Sequence, residues 1–201
     1  MKGLLLKDFY QFLRLFKLYC IVAAVFLALI AIGGENFFAT VYLSAVGGVI
    51  PMTLLAYDEQ STWDIYAQTL PYTRAQLVSV KYIMGLVFNG IVLVALTLIM
   101  FFDEYSLGNI MLSNSTILIF STLVTALTAP LSFKFGTTKG KVIYGAILGA
   151  ILAISAAVLG IMNAWGFWIG TNTLLMAVGT AIIIYLLSWL LSVRFYKKRQ
   201  F

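Results

Sequence analysis

Six apolar stretches constrain this chain more than any other feature: Leu18–Gly34, Phe37–Tyr57, Tyr82–Phe102, Ile110–Phe133, Val142–Asn163 and Thr171–Val193. A bilayer core of about 30 Å is crossed by roughly 20 apolar residues in a helix. Each stretch therefore predicts a transmembrane helix. Gly or polar clusters separate them, as at Gly33-Gly34-Glu35-Asn36, Asp103-Glu104 and Gly136-Thr137-Thr138. The chain is 62% hydrophobic and 10% charged, whereas soluble domains have about 45–50% apolar and roughly 25% charged residues. A chain of 201 residues cannot fold that much apolar surface inward, so lipid must cover it. The expectation is an all-α polytopic membrane protein, with a single transmembrane domain over residues 1–201. No small-residue cleavage site follows the first stretch, which reads as a retained span rather than a removed leader.

The charges test this map. None of the 20 charged side chains, 13 basic and 7 acidic, falls inside a stretch. With a cytoplasmic start, Lys2, Lys7, Arg14 and Lys17 lie inside, as do Arg74, Lys81, Lys134, Lys139, Lys141, Arg194, Lys197, Lys198 and Arg199. The outer loops then hold only Glu35, Asp103 and Glu104. This separation follows the positive-inside rule and predicts that both termini are cytoplasmic. It also explains the net charge of +6 without invoking nucleic acid as a partner.

Two non-spanning pieces carry pattern of their own. In residues 1–17, Leu5, Phe9, Phe12 and Phe16 recur on one helical face, while Lys7, Asp8, Gln11 and Arg14 fall on the other. That predicts an interfacial helix; the plainer reading is a cytoplasmic extension of the first span. The segment 58–75 is the longest basic-side connection. Ser61 and Asp64 fit a capping box, which predicts a short helix from Thr62 to Leu70 ended by Pro71. Trp63, Tyr66 and Leu70 share one face of it. Such a face suits a protein partner or an aromatic belt in the headgroups. Thr73 and Gln76 form a second capping pattern that launches the third span.

Absent chemistry excludes several classes. There is no histidine and one cysteine, Cys20, so no familiar metal set, no disulfide and no histidine base is expected. Gly136–Lys141 reads GTTKGK, but Phe135 stands where a phosphate loop needs Gly, and Val142 where it needs Ser or Thr. Spans without charge argue against ion-coupled transport. Asn89 is the costliest polar residue to expose to lipid and should face another helix or a pathway. Gly145 and Gly149 form a GxxxG pattern that fits ordinary helix packing or a contact between copies. Gly47-Gly48 with Pro51 reads as an interruption of the second span.

The N-terminal KGLLLKDFY, the six spans and the segment YDEQSTWDIYAQTLPYTRAQLVSVKY together resemble the short permease subunits of ABC-2 type exporters, over essentially the whole chain. The resemblance implies a permease with no catalytic, cofactor or metal site of its own. Two separate ABC ATPase subunits would hold ATP and Mg, and a second permease copy, identical or not, would complete the pathway in the cytoplasmic membrane of a prokaryote. It implies that the 62–70 helix is a coupling helix, with Trp63, Asp64, Tyr66 and Leu70 against the ATPase, and that residues 1–17 form a connector helix. Very short members of this kind resemble exporters of phenol-soluble modulins and bacteriocin immunity permeases, which implies amphipathic peptides as cargo; lipids or drug-like molecules are the alternative. Two other classes compete. An energy-independent channel or secondary carrier would work without a partner. A membrane-embedded enzyme would use Asp58, Glu59 and Asp64 around a divalent cation.

Overall fold

The computed structural model describes residues 2–33, 37–102, 104–137 and 171–198, together with 142, 144–147, 149–151, 153 and 154. Among these the chain is helical, with no strand. The elements are α1 (Lys2–Gly33), α2 (Phe37–Gln60), α3 (Trp63–Tyr66) followed by a 3-10 turn at Ala67–Thr69, α4 (Arg74–Phe102), α5 (Leu107–Phe135) and α6 (Thr171–Lys198).

Among the described residues, four stretches are long and apolar enough to cross a membrane: Thr40–Gln60, Arg74–Phe102, Leu107–Phe135 and Met176–Lys198. They correspond to the second, third, fourth and sixth expected spans. The first falls within α1, of which Tyr19–Leu29 is the apolar section among the described residues. The fifth, Val142–Asn163, lies mostly outside the described residues. Six spans are thus an expectation of which four are seen.

The expected interfacial helix over 1–17 is not a separate element. It runs without a break into the apolar section as α1, so the plainer reading, an extension of the first span, fits better. Its inward face also differs from the expectation. Leu4, Asp8 and Phe12, spaced by four, are buried, whereas Phe9 is exposed. The periodicity places Asp8 on the polar face, opposite Phe12. Asp8 is turned inward because its carboxylate pairs with buried Lys81 of α4.

α2 is the centre of the bundle. It packs against α1, α4 and α5, and α6 completes the layer by packing on α4 and α5. Of its spanning residues 72% are buried, against 22% for α6, so α2 is wrapped by protein while α6 lies at the edge. Close approach to α2 depends on two glycines. A Cβ on Gly47 would stand 1.9 Å from Asn89 Oδ1, and one on Gly48 would stand 2.5 Å from Val124 Cγ1. Pro51 sits within α2 and the helix continues through it, so the expected interruption is instead a packing surface. Phe12, Leu43, Ile50, Leu54, Phe88 and Ile117 belong to the core on this side.

A second core joins α2, α4, α5 and α6 through Leu55, Tyr82, Phe133, Tyr185 and Tyr196. Hydrogen bonds reinforce it. Tyr82 Oη lies 2.9 Å from Ser188 Oγ and 2.7 Å from Ser192 Oγ, Tyr185 donates to the Tyr82 carbonyl at 3.0 Å, and Ser188 donates to the Ala126 carbonyl at 2.9 Å. In a lipid setting these side chains meet their hydrogen-bonding needs inside the protein.

Candidate functional site

The end of the bundle where α2 meets α4 carries the concentration of charge. Asp58 lies in the last turn of α2 and Lys81 seven residues into α4. Lys7 and Asp8 come from the second turn of α1. These four converge. Lys81 Nζ is 2.8 Å from Asp8 Oδ2 and 2.5 Å from Asp58 Oδ2. Lys7 Nζ is 3.1 Å from Asp8 Oδ1 and donates a short hydrogen bond to Asp58 Oδ1. Asp8, Asp58 and Lys81 are 2%, 4% and 4% exposed. Two cations and two anions make a neutral cluster. Charges are kept out of water only when paired and hydrogen-bonded in this way. It ties α1, α2 and α4 together at one point.

The next residue of α2, Glu59, acts in a different direction. Its carboxylate accepts hydrogen bonds from the backbone N–H of Thr137, at 2.9 Å, and from the Thr137 hydroxyl. Gly136, with φ of 81°, makes the turn between α5 and that contact, a backbone conformation glycine adopts freely. Arg74, at the start of α4, donates to the carbonyls of Tyr196 and Lys197 at 3.0 and 2.9 Å, which satisfies free acceptors at the C-terminal end of α6. The connections at this end are therefore each fastened to α2 or α4.

Between those two helices hangs the α3 segment. It is shorter than the expected Thr62–Leu70 helix: one α-helical turn and one 3-10 turn. The Asp64 half of the expected Ser61/Asp64 capping box lies outside the described residues. Ser61 directly follows the last residue of α2, so its hydroxyl donates back to the carbonyls of Tyr57 and Asp58, and Thr62 takes a left-handed φ of 55° to turn the chain. The second box does form: Thr73 N–H donates to Gln76 Oε1 at 3.0 Å, and Gln76 N–H to Thr73 Oγ1 at 3.3 Å.

Ala67, 1% exposed, plugs the α3 segment against the bundle. Trp63 and Tyr66 have ring centroids 5.3 Å apart. Their environments differ: Tyr66 is 56% exposed, whereas Lys7 Nζ stands 4.6 Å from the centroid of the half-buried Trp63 ring. Leu70 is half-buried. The Asp64 side chain lies outside the described residues. Asp58 and Glu59 are each committed to the contacts above, so the Asp58–Glu59–Asp64 grouping needed by the enzyme reading does not come together from those two.

Of the other candidates, Asn89 is buried in α4 against Gly47 of α2, and its Oδ1 meets no donor among the described residues. Gly145 and Gly149 are exposed, with no described residue within 4 Å of where a Cβ would stand. Sequence reasoning passed over Lys7, Asp8 and Lys81 as flanking charges. The available signal was their type: charged residues at the margins of apolar helices are buried only with partners.

A family model described as ABC-2 family transporter protein matches residues 3–197. No curated protein and no solved structure matches the chain. A near-complete family match and a bundle with four membrane-length apolar helices agree: the chain belongs to the ABC-2 transporter family, as a multi-pass membrane permease component.

Proposed function

We propose that the chain is the permease subunit of an ATP-driven exporter of amphipathic peptides in a prokaryotic cytoplasmic membrane, with both termini on the cytoplasmic side. Two copies, identical or paired with a related permease, bind two ABC ATPase subunits, which hold ATP and Mg. The observation that carries this reading is the α3 segment. It is the compact turn suspended between two membrane-length helices, with Ala67 buried and Tyr66 exposed to the surroundings. A displaced partner pushing on such a plug moves α2 and α4 by their covalent connection to it. Exposed tyrosine is a frequent anchor at protein interfaces. The charged groups gather at this end of the bundle, which suits a pathway for amphipathic rather than strongly hydrophilic cargo.

Co-purification with the candidate ATPase in nanodiscs tests the proposal. Wild type should hold the ATPase and show peptide-stimulated ATP hydrolysis. Tyr66→Ala should weaken the complex by about tenfold, the effect of losing one anchor residue, and Trp63→Ala/Tyr66→Ala should abolish stimulated hydrolysis. A chain that retains no ATPase, yet passes solute in proteoliposomes without ATP, would replace this reading with that of a channel.

A further inference from the structure

We propose that Lys7 is a positioning residue for Trp63, and that the Lys7–Asp8–Asp58–Lys81 cluster is the joint through which displacement of the α3 segment reaches α1; this rests on the coupling role proposed above for that segment. The three helices are not attached to α3 alike. α2 and α4 are joined to it through the chain, so they follow it directly. α1 is remote in sequence and joins through side chains. Lys7 is the side chain shared by both sides of the joint. Its ammonium lies over the Trp63 ring at 4.6 Å, 3.1 Å from Asp8 of its own helix, and hydrogen-bonded to Asp58 of α2. Trp63 is held through its ring face; its Nε1 meets no acceptor among the described residues.

Burial makes this joint stiff. Asp8, Asp58 and Lys81 are each at least nine-tenths buried, so a charge pulled from its partner finds no water to replace it. The low-cost response to movement of Trp63 and Asp58 is for Lys7 and Asp8 to move with them. α1 is one helix of 32 residues, about 48 Å at 1.5 Å per residue. A shift at Lys7 is thereby carried along a single rod to Gly33 at the opposite end of the bundle. Lys7 is the most exposed member of the cluster, with its side chain 27% exposed; because its removal leaves Asp8 and Asp58 sharing Lys81, the charge-keeping Lys7→Arg is made beside Lys7→Met.

The test uses the full chain with its ATPase in nanodiscs, in a Cys20→Ser background. Spin labels at Ile32→Cys and Leu107→Cys, both exposed, report the distance between the far ends of α1 and α5 with and without ATP. Wild type should show an ATP-dependent change. Lys7→Met should keep ATPase retention within about twofold, while losing the distance change and about tenfold of the stimulated hydrolysis. Lys7→Arg should restore both, because it keeps the cation over the ring and beside the carboxylates. Lys7→Met/Trp63→Ala should couple no worse than Trp63→Ala alone. The joint is overturned if Lys7→Met preserves the distance change, if Lys7→Arg fails as Lys7→Met does, or if the two losses add independently. A wild-type chain that binds no ATPase sinks the coupling reading itself, an outcome distinct from these.

Discussion

At the scale of single residues, the buried cluster makes its members unequal to ordinary surface charges. Lys81→Met leaves two carboxylates facing the one remaining ammonium of Lys7, with Asp8 and Asp58 out of reach of water. Removing one partner from a buried ion pair costs about 3–5 kcal/mol. Asp58→Asn/Lys81→Met restores neutrality, leaving Lys7 with Asp8. It should therefore recover a large part of the stability that Lys81→Met loses, read as melting temperature in detergent. The glycines of α2 make a second pair of predictions. Gly47→Ala pushes against the end of the Asn89 side chain, which can turn away. Gly48→Ala meets Val124 at its Cβ and Cγ1 and approaches the Ser121 carbonyl, none of which yields easily. Overpacking costs about 1–3 kcal/mol, so Gly48→Ala should lie at the upper end and Gly47→Ala at the lower. Asn89→Ala should suppress the Gly47→Ala effect in thermal unfolding and leave that of Gly48→Ala in place.

At the scale of elements, the fastening of α6 is the most exposed to a single change. Arg74→Ala frees the carbonyls of Tyr196 and Lys197, and the loss of a helix-end contact is worth about 1 kcal/mol. Faster amide hydrogen exchange confined to the last turns of α6 would show it. Elements were legible in the sequence to the extent that their determinants are local. The bounds of α2 and α5 follow from their apolar runs, and the Thr73/Gln76 cap from four consecutive residues. The Ser61/Asp64 pattern has the same form, yet the Ser61 hydroxyl donates to the carbonyls closing α2, which the pattern does not foretell. A motif cannot report how the preceding helix ends. The inward face of α1 was misread for a different reason. Asp8 is buried by Lys81, a residue on another helix far along the chain, and periodicity carries no information about such partners. The α3 segment was legible as a turn bearing Trp63 and Tyr66. That Lys7 covers one of the two rings and leaves the other open was not.

At the scale of the molecule, α2 is enclosed by its neighbours while α6 and the outer faces of α4 present Ile182, Ile183, Leu186, Leu187, Val94 and Leu98 outward, where lipid or a second permease copy would meet them. The proposed orientation makes a direct prediction. In a Cys20→Ser background, Ser106→Cys, in the turn before α5, should react with an impermeant thiol reagent added outside intact cells. Ser61→Cys, beside α3, should react only after permeabilisation. Reaction of both from the same side would break the alternating threading of α2, α4 and α5.

The neutral cluster also has a consequence for how the chain comes to exist. Its members stand at positions 7, 8, 58 and 81, so they leave the ribosome in that order. Until residue 81 has emerged, Asp8 and Asp58 have one lysine between them, and α1 meets the bilayer with an acid that nothing buries. The charge on α1 and α2 is thus balanced only once α4 has followed. A chain that stops before that point keeps two acids against one lysine, a charge mismatch that the finished bundle removes.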